Sequence, residues 1–322
     1  MTFTVNNREF SLSPEELEDF RKNGYAGPFT LYKPEEIKEI WKKERLNILD
    51  RDNAIYDDGK TLDAITNISN YDRHLDNEFL AKHICRPEIV DRMVSMMGED
   101  LLCWRTEFFP KYPGDDGTDW HQVDTFEFSS GEPQLKWPEN DDFGGTITVW
   151  TALTDTTKDT ACLQFIPGTH HEMFYDETKS PEYNPEETTN LEKDGVSRSF
   201  FGYDYRDFQI DPNWKPDESK AVSMEMKAGQ FIMFWSTLMH ASHPHKGKTD
   251  EMRLGFAARY VPTKVKVYDG IENVKELGGE ILLEKYGCVL VAGEDKYRHN
   301  VIKTETTKGV PFKIQSKITM EI

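Results

Sequence analysis

Cysteine is scarce in this 322-residue chain: only Cys85, Cys103, Cys162 and Cys288 occur, and no two have CxxC spacing. That leaves no disulfide scaffold and no thiolate metal site; in a reducing compartment such scattered thiols are small core residues. Long apolar runs are missing too, so no segment is expected to span a bilayer. The first residues lack a basic stretch followed by an apolar one, which argues against a secretory leader and for a cytoplasmic location. Positive charge is in deficit. With 58 Asp and Glu against 39 Lys and Arg, the net charge is −19. Such a balance disfavours nucleic acid or an anionic membrane as a partner, and is most simply a solubility device. No repeat or low-complexity tract appears.

What is present changes texture near residue 100. Ser13-Pro14-Glu15-Glu16 predicts a capped helix start, with Leu17 and Phe20 on one face and a stop at Asn23-Gly24. Lys33-Pro34-Glu35-Glu36 opens a second helix with Ile37, Ile40 and Trp41 inward. A third begins at Pro87, carries Ile89, Val90 and Met93, and ends at Gly98. Residues 51–76 are polar and aperiodic. From Leu101 onward, strand-like runs follow at 101–112, 118–126, 146–153, 162–166, 222–226, 230–237 and 252–267. Residues 174–220 form a polar, Pro-rich insertion, suited to a lid or site wall. A short helix over 271–277 and extended pieces finish the chain. The fold class expected is mainly β with flanking helices: a double-stranded β-helix, or cupin-like jelly roll. No boundary divides it. One domain spans 1–322, with a helical flank to about residue 100, a core to about 270 and a C-terminal extension.

The chemistry centres on residues 118–126. A His-x-Asp/Glu pair on a strand, with a distant His, holds three corners of the octahedral iron in non-haem oxygenases. Strand alternation would turn His121 and residue 123 to one side, but position 123 is Val, and a hydrocarbon cannot ligate. His240, ending the apolar run 230–239, would bring a second imidazole over the barrel mouth. His243 and His245 lie close enough to be confused with it, and His170 and His171 are equally readable as solvent-facing. Arg253 and Arg259, six residues apart, share a strand face; two inward arginines require anions. Alternatively Arg253 is a surface residue paired with Glu251. Thr148 and Trp150 share another face, where Trp150 reads equally well as plain core.

Several longer runs carry a resemblance. They include Cys103-Trp104-Arg105-Thr106-Glu107-Phe108-Phe109-Pro110, Gly144-Gly145-Thr146-Ile147-Thr148-Val149-Trp150, Gln164-Phe165-Ile166-Pro167-Gly168-Thr169 and Phe234-Trp235-Ser236-Thr237-Leu238-Met239-His240. Asn70-Tyr71-Asp72-Arg73-His74-Leu75-Asp76 and Phe201-Gly202-Tyr203-Asp204-Tyr205-Arg206 extend it almost end to end. The chain resembles the non-haem Fe(II), 2-oxoglutarate-dependent aliphatic halogenases of the phytanoyl-CoA dioxygenase superfamily, in particular the threonine halogenases of the syringomycin type. The resemblance implies Fe(II), 2-oxoglutarate, O2 and chloride as cofactors. It implies His121 and His240 as metal ligands, Arg253 as the 2-oxoglutarate clamp and Trp150 beside the cosubstrate. Thr148, Phe126, Ser236, Arg259 and Glu107 would surround the halide and its waters. Val123 stands where that family has Ala or Gly, and Phe128 where the threonine enzyme has Asn, so a smaller, less polar pocket is expected.

The charge count follows. Iron(II) and the 2-oxoglutarate dianion cancel, and neutral imidazoles add nothing. Without a carboxylate the centre is neutral until an anion enters, and chloride supplies that charge. The implied substrate is an aminoacyl thioester on the phosphopantetheine arm of a carrier protein, for nonribosomal peptide synthesis, with Lys38, Lys42 and Lys43 a candidate docking patch. If Val123 instead excludes chloride, the outcome becomes hydroxylation, desaturation or ring closure.

Overall fold

The computed structural model describes residues 8–48, 55–56, 71–139, 145–179, 191–193, 196–199, 204–276 and 279–316. Its first helix, Pro14–Asn23, forms as its ends dictate. Ser13 and Glu16 exchange capping hydrogen bonds, Pro14 begins the helix, and Gly24 ends it at φ 84°. Helix Pro34–Ile48 buries Ile37, with Ile40 and Trp41 half-buried against the core. Helix Pro87–Met97 starts at its proline and stops at Gly98. Most of the aperiodic stretch 51–76 lies outside the described residues. Just beyond it stands a helix absent from the sequence reading, Glu78–Ile84, capped by the Asn77 side chain.

Two antiparallel sheets carry the rest. The larger orders its strands Tyr25–Thr30, Gln230–Trp235, Ile147–Ala152, Arg253–Pro262, Leu101–Lys111 and Val289–Ala292. The smaller orders His240–Ser242, Leu163–Phe165 and Val222–Met224. Opposed residues of an antiparallel ladder project to one side. Phe234, Thr148, Arg259 and Arg105 therefore form one row across the large sheet. Ile232, Trp150, Ala257 and Glu107 form the next row on the same face, and Arg253 and Lys111 a further one. The other face carries Thr151 and Phe256 and meets the helical flank through His83.

Two expectations are corrected. Residues 118–126 are not a strand: pairing stops at Thr118, His121 makes a single bridge, and Phe126 turns the chain at φ 62° before the short helix Glu127–Ser130. The helix expected over 271–277 is instead the strand Asn273–Glu276, hairpinned to Gly279–Leu282. Within the C-terminal extension, Val289–Ala292 pairs with Leu101–Lys111 as an edge of the large sheet. Of the 174–220 insertion, residues 180–190, 194–195 and 200–203 lie outside the described residues. Its strand Val196–Ser199 pairs in parallel with Gly117–Thr118, and the 3-10 turn Tyr205–Phe208 buries Tyr205 and Phe208. All four cysteines are buried and free. Among the described residues no helix is long and apolar enough to cross a membrane.

Two fully interior imidazoles set an acid limit. His83 meets Tyr32 Oη at 3.0 Å and Thr151 Oγ1 at 3.1 Å, and His74 meets Thr106 Oγ1 at 2.8 Å. Burial pushes both from 6.5 down to about 3. A lowered base favours the folded state above its unfolded pKa and loses that advantage as pH falls toward the folded one. Burial raises Asp72 to about 6, which acts in the opposite sense over the acid range. The His83 contribution is isolated by His83→Gln. The stability difference between wild type and variant, from urea midpoints, should shrink by about 1 kcal/mol or more between pH 7 and 5. A constant difference would refute it.

Candidate functional site

His121 and His240 come together across the two halves of the fold. Each donates its backbone N–H to the other's carbonyl at 3.0 Å, and the imidazole centroids lie 3.9 Å apart. His240 does not end the apolar strand, as the sequence suggested. That strand stops at Trp235, and His240 opens the next after a turn. It still lies over the face of the large sheet, with its ring 5.1 Å from that of Phe234.

Both rings are held by one device. His121 Nδ1 donates to Asp119 O and His240 Nδ1 to Leu238 O, each at 2.7 Å and each two residues back. A carbonyl only accepts, so Nδ1 carries the proton and the lone pair lies on Nε2. Burial first, and then the positive charge of Arg259, hold His240 down at about 4; burial, His240 and Arg259 hold His121 well below its ordinary value. Both imidazoles are neutral near pH 7. Two neutral Nε2 donors side by side fit a divalent transition metal. Among the described residues, no group of three or more His, Cys, Asp or Glu could hold a metal, so the donor set stops at two.

The other histidines are committed elsewhere. His243 Nε2 meets Ser223 Oγ at 2.9 Å, and His245 Nε2 meets Glu251 O at 3.0 Å. His170 is buried on Arg21 O at 3.0 Å rather than solvent-facing, whereas His171 is exposed.

Where a third ligand is usual, Val123 is 6% exposed within the main apolar core. Its N–H donates to Ser236 O at 2.9 Å, and Ser236 Oγ accepts the Thr146 N–H at 3.0 Å. Ser236 thus ties the loop to the sheet.

Two arginines stand on the sheet face below. Arg259 donates to Glu107 Oε2 at 2.9 Å, its Cζ lies 5.3 Å from the Phe126 ring centroid, and Thr148 is its ladder partner. Arg253 is 2% exposed, donates Nη1 to Phe109 O at 2.9 Å and lies 5.3 Å from the Trp150 ring. Burial lowers it to about 10. It is no surface residue, and Glu251 instead gives its carbonyl to His245. Arg253 Nε and Arg259 Nη1 are buried without a hydrogen-bond partner. Buried cationic donors left open fit a bound anion, and a fork aimed from a strand end fits a carboxylate. Trp150 walls that end. A Cβ on Gly255 would lie 1.8 Å from its ring, so the indole occupies the space that glycine leaves.

Phe128 is placed less centrally. Its ring packs edge-on against Tyr205 at 6.2 Å and Phe208 at 5.9 Å, forming a wall with the insertion.

Three residues escaped the sequence reading as functional. Gln122 donates to the carbonyls of Thr169, Glu172 and Thr237 at 3.1, 2.8 and 2.6 Å. Tyr205 donates to Gln122 O and sets its ring edge-on to His121 at 5.6 Å. Glu177, alone in a polar stretch, gave no pattern to find; in the fold it is buried against Asp124, Thr125 and Phe126. Gln122 fell inside the stretch 118–126 and Tyr205 inside the run 201–206, both already singled out, but neither for its own side chain.

Comparison with known proteins bears on this geometry. The family model described as phytanoyl-CoA dioxygenase (PhyH) matches residues 20–254. A solved structure of CytC3 with Fe(II) and alpha-ketoglutarate (2-oxoglutarate) is 46% identical, covering 96% of this chain and 99% of that one at a TM-score of 0.74. The non-haem monooxygenase ThoJ, solved with nickel, is 19% identical over 91% of this chain and 89% of its own at 0.58, a likeness of fold. A search of curated protein sequences found no match.

Proposed function

Because the chain belongs to the phytanoyl-CoA dioxygenase (PhyH) family, and is an oxidoreductase of the Fe(II)- and 2-oxoglutarate-dependent type, we propose that it is a halogenase. Its substrate would be an aliphatic carbon of an amino acid tethered to a carrier protein. The observation that carries this reading is the donor set: two neutral imidazoles, with the hydrocarbon Val123 where a carboxylate would ligate. We read the two sheets as the walls of a double-stranded β-helix, with the histidines at its mouth.

In this reading Fe(II) with 2-oxoglutarate and O2 supplies removal of a hydrogen atom from an unactivated carbon. His121 and His240 would hold the metal through Nε2, their rings fixed by the Asp119 and Leu238 carbonyls. Arg253 would pair with the far carboxylate of 2-oxoglutarate, and Trp150 would keep that end dry. Val123 contributes no charge, so the centre stays one negative charge short until chloride enters. The Arg259 guanidinium, steadied by Glu107 and flanked by Thr148 and Phe126, would favour that anion. Phe128 would narrow the substrate pocket. Holding the carbon nearer the halide than the oxygen would decide the product. The exposed Lys38, Lys42 and Lys43 on helix Pro34–Ile48 are the surface we propose for the acidic carrier.

Anaerobic chloride titration of the Fe(II)- and 2-oxoglutarate-loaded protein tests the halide step, and mass spectrometry of products from aminoacyl carriers tests the reaction. No spectral response to chloride, with turnover to a hydroxylated, desaturated or cyclised product, would replace halogenation by that outcome. The buried bulk of Val123 gives this second reading its basis. Val123→Ala removes two carbons at the position where a carboxylate would ligate and is expected to tighten chloride binding about threefold to tenfold. Unchanged or weaker binding would show that bulk there is no obstacle.

A further inference from the structure

We propose that Glu177 is a positioning residue that fixes the loop between the first histidine and the Arg259 contact by gathering three successive backbone amides onto its carboxylate. The inference rests on the reading of His121 and His240 as metal ligands. Glu177 Oε2 accepts the N–H groups of Asp124 at 2.9 Å and Thr125 at 2.7 Å and the Thr125 hydroxyl at 3.2 Å; Oε1 accepts the Phe126 N–H at 3.1 Å. Four donors on one buried carboxylate are more than a loop needs for solubility.

The loop needs them for another reason. Phe126 has φ 62°, a left-handed conformation that costs a bulky residue on the order of 1–2 kcal/mol and persists only where its surroundings impose it. That backbone turn sends the Phe126 ring edge-on to Trp104 at 5.1 Å and sets it 5.3 Å from Arg259 Cζ. The same loop starts at His121, whose backbone is hydrogen-bonded to that of His240 at 3.0 Å in each direction. The line of positioning therefore runs from Glu177 through Phe126 to Arg259 and the histidine pair. It also ties the insertion to the site, since Glu177 lies two residues beyond Tyr175, which bridges to Gln209 within that segment. Burial raises Glu177 to about 7, although the Thr125 and Asp124 amides pull the other way. The carboxylate is thus kept inside at an electrostatic cost, as expected of a residue retained for its contacts.

Glu177→Gln keeps the shape but offers one accepting oxygen and turns an NH2 toward amide donors. Two measurements read the result. The first is hydrogen exchange of the metal-free protein, followed on peptides covering 122–128. The second is Fe(II) affinity set beside thermal midpoint and, at saturating Fe(II), 2-oxoglutarate affinity. Exchange of the 124–126 amides should quicken about tenfold or more, and Fe(II) binding should weaken about tenfold, while 2-oxoglutarate affinity at Arg253 changes less than about twofold. A general structural role would lower the midpoint and weaken both ligands together. Thr125→Ala, which removes only the hydroxyl contact, should shift exchange and Fe(II) affinity in the same direction by a smaller factor, and serves if the first variant does not fold. Unchanged exchange in either folded variant, or faster exchange with unaltered Fe(II) affinity, overturns the positioning role alone. A wild-type protein that binds no Fe(II) overturns it together with the metal reading.

Discussion

Replacing His240 by alanine is expected to weaken Fe(II) binding more than about 100-fold while the fold survives. In a three-ligand centre the loss of one imidazole leaves two protein donors; in the two-histidine centre proposed for this chain it would leave His121 alone. The fold should tolerate the change because the His121–His240 pairing is made by backbone N–H and carbonyl groups, 3.0 Å in each direction, which alanine retains. A stability loss of about 1 kcal/mol or less is expected at this half-buried position. Isothermal titration with Fe(II) under anaerobic conditions checks the first part and urea unfolding the second. Stoichiometric tight binding by the variant would assign the metal to other residues. His243→Ala is the control: its ring is engaged with Ser223 at 2.9 Å, and the same titration should be unmoved.

Gly255→Ala is the second large effect. The added methyl carbon would lie 1.8 Å from Trp150 Cζ2 and 2.2 Å from Cε2, distances no rotamer of a buried indole relieves by small shifts. Overpacking of this severity costs about 3 kcal/mol or more. Any outward swing of the indole also moves the ring under Arg253, 5.3 Å from its guanidinium carbon. The variant should therefore lose 2-oxoglutarate affinity about tenfold or more, with Fe(II) affinity nearly intact. Adding Trp150→Phe makes room for the methyl, so the double variant should be more stable than Gly255→Ala alone. A non-additive recovery is the mark of direct contact. Additive losses would place the clash elsewhere.

The sequence was most legible where local chemistry is unambiguous. Helix Pro14–Asn23 is written in its cap, its proline and its terminal glycine, and Arg253–Pro262 in an apolar run carrying two arginines at even spacing. His121 and His240 were legible through their surroundings rather than their spacing, since neither sits in the strand position that alternation suggested. Residues 118–126 misled because alternation of residue type assumes extended backbone. That assumption fails at Phe126, which has a positive φ and donates its N–H to Glu177, 51 residues away. A distant carboxylate leaves no trace in a local pattern. At 271–277 short helical periodicity competed with extended pairing, and the antiparallel ladder of Asn273–Glu276 with Gly279–Leu282 won.

The backbone bridge between the histidines has a consequence for how a cation is captured. The two proposed ligands are 119 positions apart in the chain (240 − 121), and drawing such distant points together from an open polymer costs about 4 kcal/mol in lost chain freedom. The mutual amide bonds have already met that cost before any ion arrives. With the histidines as ligands, as proposed, the metal-free protein would be a ready-made chelate, whose affinity goes into holding the ion rather than assembling the ring around it. Its preference among divalent ions then depends on how well each accepts two fixed nitrogens.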